Sequence, residues 1–338
     1  MAATVLVTGG LGYVGSHCCV ALAHAGYEPV VLDNLSNARE SVLERLRELT
    51  GAAIELHRAD VRDAGALDRA LANRPIEAVA HFAGLKSVRE SVERPLDYFD
   101  NNVNGTARLL EAMARHGVRH MLFSSSATVY GVPQRLPYTE DHPLEPVNPY
   151  GCGKLAIERM LERAAAANPD FHYAALRDFN PVGAHPSGRI GEDPRGVPEN
   201  LLPYVAQVAS GQRPTLRVFG KDYDTPDGTG VRDYLHVMDL AEAHVAALRF
   251  LEREHRSIAV NLGTGRGHSV LEVVKAFEAA SGRPVPIEFA PRRAGDLPEY
   301  WADATLAAQE LGWRAARGLE EMCRDAWRWQ SQNPDGYV

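Results

Sequence analysis

Residues 4–16, TVLVTGGLGYVGS, carry the clearest indication of the fold class. An apolar strand pattern runs directly into glycines at positions 9, 12 and 15, and a helical pattern follows. Glycine permits a tight turn and lets backbone amides approach a pyrophosphate at the positive end of a helix. Asp33 ends the next predicted strand, where a carboxylate can accept hydrogen bonds from both hydroxyls of a ribose. The unit therefore predicts a dinucleotide site, and Asp33 favours NAD over NADP because it would repel a 2′-phosphate.

The first half of the chain continues this alternation of strand and helix. Its apolar runs are nearly continuous, which indicates strands covered on both faces. We therefore predict an α/β fold, a Rossmann-like doubly wound parallel sheet that binds ligands at the carboxyl ends of its strands. Strands are predicted over 4–8, 28–32, 53–60, 77–84, 120–126 and 172–180, and helices over 13–26, 38–50, 63–73, 97–116 and 149–167.

After residue 180 the pattern changes to a stretch rich in proline and glycine, which is predicted to be a loop or lid and is followed by shorter elements. These are helices near 199–211, 238–252, 269–281, 303–311 and 318–330, and strands at 215–219 and 258–262. We expect an NAD-binding domain over residues 1–180 and a smaller C-terminal α/β substrate-binding domain over residues 181–338, parts of which pack back on the first. A second glycine run, residues 263–267, lacks an acidic partner on a following strand and is predicted to be a loop, not a second nucleotide site.

Composition excludes several classes of protein. The chain has 338 residues, 45% of them hydrophobic, which is typical of a globular protein. Its net charge of −8 argues against nucleic acid or an anionic membrane as a partner, and no apolar run approaches the ~18 residues of a membrane span. No basic segment precedes the first strand, so no signal peptide is expected. Four cysteines without paired spacing favour a reduced, cytoplasmic setting and no metal site.

A tyrosine and a lysine are placed four residues apart at a predicted helix start. In NPYGCGK, Asn148 is a good helix cap and Pro149 suits the first helical position, so Tyr150 and Lys154 share one helix face. An ammonium at that spacing favours the phenolate and makes the tyrosine a base closer to neutral pH. Lys154 is one of only four lysines against 32 arginines, which strengthens this interpretation. Ser126 ends a predicted strand at the ligand-facing edge and can hydrogen-bond a substrate oxygen.

Several sequence blocks carry a resemblance to a known family. Together they closely resemble the UDP-glucose 4-epimerase (UDP-galactose 4-epimerase) family of extended short-chain dehydrogenases, from about residue 4 to the C-terminus. The blocks are TGGLGYVGS, HFAGLKSVRES, DNNVNGT, SSSATVYG, NPYGCGK, FNPVGAHPSG, GTGVRDYLHVMDLA and RRAGDLPEYWAD.

The resemblance implies that NAD is held tightly and regenerated in every turnover. The catalytic positions it implies are Ser126, Tyr150 and Lys154. The implied cofactor positions are Gly9, Gly12, Tyr13, Val14, Gly15, Asp33, Asn34, Leu35, Ser36, Asn37, Ala38, Asp60, Val61, Phe82, Ala83, Gly84, Leu85, Lys86, Asn101, Ser126, Tyr150, Lys154 and Phe179. For the UDP-sugar they are Lys86, Ser126, Tyr150, Asn180, Asn200, Leu201, Arg232, Arg293, Asp296 and Tyr300.

The implied reaction interconverts UDP-galactose and UDP-glucose at C4 through a 4-keto sugar. Tyr150 removes the proton of the 4-hydroxyl as hydride passes from C4 to NAD, and hydride then returns to the opposite face of the sugar. Arg232 and Arg293 are expected to anchor the diphosphate by charge-assisted hydrogen bonds while the hexose is held loosely. Members of the family are often homodimers, which we expect here too.

Two positions bear on substrate range. Tyr300 matches a position where a bulky residue narrows the pocket against an N-acetyl group, so glucose and galactose are expected to be preferred. Asp178 stands where the family usually has tyrosine, which puts rate and preference in question.

Three alternatives stay open. One is a 4-epimerase of another UDP-sugar, such as a UDP-uronic acid or a UDP-N-acetylhexosamine. The second is a sugar-nucleotide 4,6-dehydratase, disfavoured because Ala127 and Thr128 occupy the positions of its acidic residues. The third is a non-catalytic NAD-binding regulator, which would be expected to have lost Tyr150 or Lys154.

Overall fold

The computed structural model describes residues 2–293 and 296–337. Its strands, in chain order, are β1 Thr4–Thr8, β2 Glu28–Asp33, β3 Glu55–Arg58, β4 Ala78–His81, β5 His120–Ser126, β6 His172–Asp178, β7 Asn180–Val182, β8 Leu216–Phe219, β9 Val231–His236, β10 Ile258–Leu262, β11 Gly267–Ser269, β12 Ile287–Ala290 and β13 Glu299–Tyr300. Its α-helices are α1 Tyr13–His24, α2 Ser41–Thr50, α3 Ala64–Ala72, α4 Val88–Glu93, α5 Pro95–Tyr98, α6 Gly105–Arg115, α7 Pro149–Ala167, α8 Leu201–Ala209, α9 Val237–Glu254, α10 Val270–Ser281, α11 Thr305–Glu310 and α12 Leu319–Gln332.

A seven-stranded parallel sheet forms the centre of the molecule, in the order β10-β6-β5-β4-β1-β2-β3. Its central strands β1 and β4 are buried along their whole length, because helices cover both faces of the sheet. One face packs under α1, α2 and α9, and the other under α3, α6 and α7. The predicted Rossmann-like parallel sheet is confirmed, and it places the carboxyl ends of the strands at one edge.

One strand from the later part of the chain joins this central sheet. β10 pairs with β6, from Ile258 beside Ala174 to Leu262 beside Asp178. The preceding helix α9 packs on α1. The domain boundary near residue 180 stays a prediction. α9 and β10 come after this boundary in the sequence but pack on the part of the chain that precedes it.

The remaining strands form two small sheets beyond the carboxyl ends of the central strands. β9 lies between β11 and β13 and also pairs with β7, and β8 pairs with β12. Helices α8, α10 and α12 pack on each other around a separate apolar cluster. β7 follows β6 after one residue, so this small sheet starts directly at the edge where the central strands end.

The helix predicted over 97–116 is broken into segments. A π-helical turn, Phe99–Asn104, separates α5 from α6. The Asn102 side chain in this turn accepts a hydrogen bond from the Leu85 amide and donates one to the Leu85 carbonyl, at 2.8 and 2.9 Å. None of the helices within the described ranges is both long and apolar enough to cross a bilayer.

Candidate active site

The glycine loop between β1 and α1 admits no larger residue at two positions. Gly9 has φ +69°, and a Cβ there would lie 2.7 Å from the Ala83 nitrogen. A Cβ on Gly15 would lie 2.2 Å from the Gly9 carbonyl oxygen. Gly12 is the N-cap of α1 and has no side chain to satisfy the first amides of the helix, and the first turn carries no acidic residue. A helix start of this kind favours a bound anion such as a pyrophosphate.

Asp33 is held in place by the backbone at the end of β2. Its two carboxylate oxygens accept hydrogen bonds from the Leu11 and Leu35 amides, at 3.1 and 2.8 Å. Burial raises its pKa, and these amide hydrogen bonds oppose that shift. The carboxylate is therefore fixed beside the glycine loop, with lone pairs left for ribose hydroxyls.

The predicted adenosine segment, residues 34–38, is covered from outside by the loop that follows β7. Arg195 donates to the carbonyls of Leu35 and Ala38, at 3.1 and 2.9 Å. Arg39 and Asp193 add an ion pair at 3.3 Å. The sequence predicts a loop or lid here but not the segment that it covers, because nothing in a proline- and glycine-rich stretch shows where it folds back.

Asp60 and Val61 lie beside the same segment. Asp60 accepts hydrogen bonds from Arg62 and, at 2.9 Å, from Asn34, and the Arg62 hydrogen bond above all lowers its pKa. Val61 is buried against Gly105 at the start of α6. The structure therefore groups these predicted adenine positions with the predicted ribose positions.

The loop after β4, residues 82–86, closes the other side of the nucleotide cleft. Asn102 fixes this loop through Leu85, next to the predicted cofactor residue Asn101 on the π-helical turn. The Phe82 ring packs on the His244 ring, with centroids 4.8 Å apart. Asn102 was not predicted, although it lies in the DNNVNGT block.

The local sequence of α7 positions Tyr150 and Lys154 as predicted. The Asn148 side chain accepts a hydrogen bond from the Gly151 amide at 2.8 Å, and Pro149 is the first helical residue. The Lys154 ammonium donates to the Ser124 carbonyl at 2.6 Å and lies 5.6 Å from the centre of the Tyr150 ring. Tyrosine, lysine and the end of β5 therefore meet at the carboxyl edge of the sheet.

The protonation equilibria of these two residues are strongly shifted. Burial raises the pKa of Tyr150, the negative charge of Asp178 raises it further, and a hydrogen bond with Ser126 lowers it. Burial lowers the pKa of Lys154 to about 8, against the opposing effects of Asp178 and Glu158. Shifts of this kind are typical of catalytic sites.

Ser126 is oriented by a residue that sequence reasoning gave no role. The Thr128 amide and hydroxyl both donate to Ser126 Oγ, at 3.3 and 3.1 Å. The serine oxygen is thereby fixed as an acceptor, and its own proton points to another partner. Thr128 follows Ser126 by two residues in the SSSATVYG block. That short spacing is the sequence signal from which this contact could have been predicted.

The predicted sugar residues collect around β7, β9 and β13. Tyr300 pairs in register with Arg232, whose guanidinium lies 4.6 Å from the centre of the Tyr300 ring. Asn180 donates to the Asp233 carbonyl at 2.9 Å, and the Phe179 ring lies 6.1 Å from that of Tyr300. Four predicted residues from distant parts of the sequence therefore form one wall beside the predicted catalytic residues.

Arg293 and Asp296 lie further out. The Arg293 guanidinium lies 3.9 Å from the centre of the Phe219 ring, so the two predicted anchoring arginines stack on different aromatic rings. The pKa of Tyr223 is raised by burial and then by the charge of Asp296, and Arg232 opposes that shift. Tyr223 and Phe219 were not predicted.

Lys86 and Asn200 meet at a carboxylate that sequence reasoning missed. Glu192 Oε1 accepts hydrogen bonds from both side chains, each at 2.8 Å. Leu201 begins α8 directly after Asn200. Glu192 therefore joins the loop after β4 to the start of α8 across the cleft.

Backbone amides of the second glycine run already donate hydrogen bonds to a buried carboxylate. Asp233 accepts hydrogen bonds from the amides of Thr264, Gly265 and Ala302, at 2.9, 3.1 and 3.1 Å. These amides are not available to a phosphate, in agreement with the prediction that residues 263–267 form no second nucleotide site.

A parallel sheet with a glycine loop, a buried acidic residue after β2, and a tyrosine and lysine on α7 defines an extended short-chain dehydrogenase. The sequence profile of the family described as GDP-mannose 4,6 dehydratase matches residues 6–326. The UDP-glucose 4-epimerase of Yersinia pestis is 58% identical over 98% of this chain and 99% of its own. The chain belongs to the UDP-glucose 4-epimerase family, which confirms the resemblance found in the sequence.

Solved structures agree with this assignment. UDP-glucose 4-epimerase from Stenotrophomonas maltophila, with bound NAD and formylated UDP-arabinopyranose, has a TM-score of 0.96 and 52% identity, covering 98% of this chain and 99% of that one. The enzyme from Bifidobacterium longum, in complex with NAD+ and UDP, has a TM-score of 0.95 and 48% identity, covering 99% and 100%.

Proposed function

We propose that this chain is an NAD-dependent isomerase that interconverts UDP-galactose and UDP-glucose at C4 of the sugar. The observation that carries the proposal is the meeting of Tyr150, Lys154 and Ser126 at the carboxyl edge of the sheet, beside the glycine loop. Full-length identity to UDP-glucose 4-epimerases supports epimerisation over dehydration or a purely regulatory role.

The residues of the nucleotide cleft fit NAD. A Cβ at Gly9 or Gly15 would fill the space that the glycine loop leaves for a pyrophosphate. The first turn of α1 has no side-chain cap, so its amides are available to an anion. Asp33 is fixed where a 2′-phosphate would be repelled. Tyr13 and Val14 of α1, the segments 34–38 and 82–86, and Asn101 would hold the dinucleotide. Bound NAD supplies a hydride acceptor that can return the hydride to either face of the sugar carbon.

Tyr150 acts as the base for the sugar 4-hydroxyl. Burial alone opposes the phenolate, because it raises the pKa of Tyr150. The Lys154 ammonium, 5.6 Å from the ring centre, offsets part of that penalty. Ser126, whose oxygen is oriented by Thr128, donates its proton to the same substrate oxygen and aligns it with the tyrosine.

The diphosphate is anchored while the hexose is left free to turn over. Arg232 and Arg293 supply forked donors suited to a diphosphate, and Lys86 and Asn200 approach from the opposite side of the cleft. Tyr300 narrows the wall beside Asn180, which supports a preference for glucose and galactose over N-acetylated sugars.

The experiment is product analysis with a panel of UDP-sugars and no added coenzyme. The purified chain is expected to contain NAD and to convert UDP-galactose into UDP-glucose, whereas Tyr150→Phe loses at least about a hundredfold in kcat. Absence of conversion by the NAD-containing parent would contradict the proposal, as would a Tyr150→Phe variant of parental rate.

We further propose that the chain is a homodimer of the cytoplasm. Val88 and Val92 on α4, Leu96 on α5 and Phe99 at the start of the π-helical turn are exposed apolar side chains, and Leu96 is 79% exposed. Exposed apolar side chains on consecutive short helices are typical of an interaction surface. The four cysteines are free thiols, which suits a reducing compartment. Light scattering is expected to give twice the chain mass for the parent and for a Val197→Asp control, but a monomer for Leu96→Asp.

A further inference from the structure

Asp178 occupies a position at the centre of the ligand-facing edge. It ends β6, in register with Ser126 on β5 and with Leu262 on β10. Residues in register on neighbouring parallel strands project to the same face of a sheet. The Asp178 carboxylate therefore stands beside the catalytic serine, where the family resemblance leads one to expect a neutral tyrosine.

One oxygen of this carboxylate is enclosed without a hydrogen-bond partner. Among the described residues, no donor reaches Asp178 Oδ1, although the atom is buried. A carboxylate with one enclosed oxygen that no donor reaches is costly to ionise. Burial accordingly raises the pKa of Asp178 to about 7, and the Lys154 ammonium opposes that shift.

The charged and titratable groups around Asp178 belong mainly to α7. Lys154 and Tyr150 lie on that helix, and the Lys154 ammonium donates to the Ser124 carbonyl, two residues before the register partner of Asp178. The negative charge of Asp178 raises the pKa of both residues. β5 contributes the Ser126 hydroxyl, and β10 contributes Leu262. From α9, which also packs on β6, His244 stacks on Phe82, and burial lowers its pKa to about 4, so it is uncharged at neutral pH.

A second carboxylate near Lys154 is already neutralised. Glu158, one helical turn further on, is buried and paired with Arg177 at 2.7 Å. Asp178 has no comparable cation of its own within the described ranges, so its charge acts on Lys154. The ammonium thus serves two anions in turn, the Asp178 carboxylate and the Tyr150 phenolate.

We propose that ionised Asp178 is a positioning residue that competes with the Tyr150 phenolate for the Lys154 ammonium and thereby sets the lower pH limit of the reaction. With Asp178 ionised and Lys154 protonated, loss of the tyrosine proton takes the three groups from neutral to a net negative charge. With an uncharged residue at 178, the same step takes them from positive to neutral, which a buried cluster favours. The charges of a bound cofactor and substrate are the same whether residue 178 is charged or not. They therefore do not change the direction in which Asp178 shifts the pKa of Tyr150.

The inference rests on the proposed role of Tyr150, and the test separates the two. kcat/KM for UDP-galactose is measured against pH for NAD-containing parent, Asp178→Asn and Asp178→Tyr. Both uncharged variants are expected to move the acidic limb about one pH unit lower, which makes them about tenfold faster than the parent on that limb wherever Asp178 of the parent is ionised, above about pH 7. Ultraviolet titration of the phenolate, taken as the difference from the matching Tyr150→Phe proteins, is expected to move by the same amount.

Asp170→Asn provides the matched control, because Asp170 is exposed just before β6 and far from the catalytic edge. The acidic limb of kcat/KM against pH is expected to be the same in Asp170→Asn as in the parent. An unchanged limb in Asp178→Asn, or a shift confined to Asp178→Tyr, would overturn the inference, since the effect would then not follow charge. A Tyr150→Phe protein with full activity would instead refute the role of Tyr150 itself.

Discussion

The Tyr300 hydroxyl lies 3.3 Å from Oδ1 of Asn180, so the side chains of two residues far apart in the sequence meet at the hexose side of the cleft. The same ring supports the Arg232 guanidinium, at 4.6 Å from its centre. Tyr300 is therefore a wall of the proposed sugar pocket and a support for an anchoring arginine.

Substitution of Tyr300 by serine is expected to admit N-acetylated sugars. Removing the ring opens space beside Asn180, and turnover of UDP-N-acetylglucosamine should rise at least about tenfold relative to UDP-glucose. Tyr300→Phe keeps the ring and is expected to retain the parental preference. The measurement is kcat/KM for both sugars. Equal preference in the serine variant and the parent would show that this wall does not exclude the acetamido group.

Gly15→Ala is expected to abolish NAD retention. The added Cβ would lie 2.2 Å from the Gly9 carbonyl oxygen, so the loop must shift away from the position that receives the pyrophosphate. Coenzyme released from the denatured protein should fall at least about tenfold, since several amide hydrogen bonds are lost together. Gly318→Ala is the control, because its Cβ would meet nothing within 4 Å. Normal NAD content in the Gly15 variant would contradict the assignment of this loop.

Asp33→Ala is expected to weaken NAD binding through the ribose. Loss of a charge-assisted acceptor costs roughly 1.5–3 kcal/mol, which raises Kd about 10- to 150-fold. Asp63→Ala, which removes a carboxylate that caps α3 at the Ala66 amide, should lower stability without changing Kd. Calorimetry on NAD-stripped protein measures both. An equal loss of affinity in the two variants would point to general destabilisation.

The stability of the chain is expected to fall with rising pH through Asp178. In an unfolded chain this carboxyl loses its proton near pH 3.8, whereas in the fold its pKa is about 7. Between these values the folded state binds more protons, so stability decreases as the pH rises and the loss is complete above pH 7. Asp178→Asn removes this cost, on the order of 2–4 kcal/mol at pH 8.

Thermal unfolding checks this directly. The Tm of Asp178→Asn should exceed that of the parent by several degrees at pH 8 and match it near pH 4. A difference in Tm that is the same at both pH values would assign the effect to packing instead of charge.

The sequence predicted the elements whose signals are local. The glycine loop, Asp33 at the end of β2, and the Asn148 cap that starts α7 each depend on neighbouring residues, and each lies where it was predicted. The central sheet followed from buried strand patterns for the same reason. The residue roles inferred by resemblance stay predictions until the variants above are tested.

What the sequence did not predict depends on long-range contacts. The membership of β10 in the central sheet, the bridge from Glu192 to Lys86 and Asn200, and the covering contacts of Arg195 join segments far apart in the chain. An isolated glutamate or arginine in a loop has no periodicity, so it is indistinguishable from a solvated surface charge. Asp178 differs from its neighbours in the sequence only as a departure from the family pattern, and its enclosed oxygen depends on the fold.

The hydrogen bonds of Arg195 and the Arg39–Asp193 ion pair cover residues 34–38, and this cover affects how fast a bound coenzyme can dissociate. A dinucleotide seated beneath it leaves only when these contacts separate, so departure is slow compared with a catalytic cycle that consumes no net oxidant. We expect the coenzyme to stay bound through many turnovers, as a prosthetic group does. Turnover should then be insensitive to the NAD/NADH ratio of the surrounding solution.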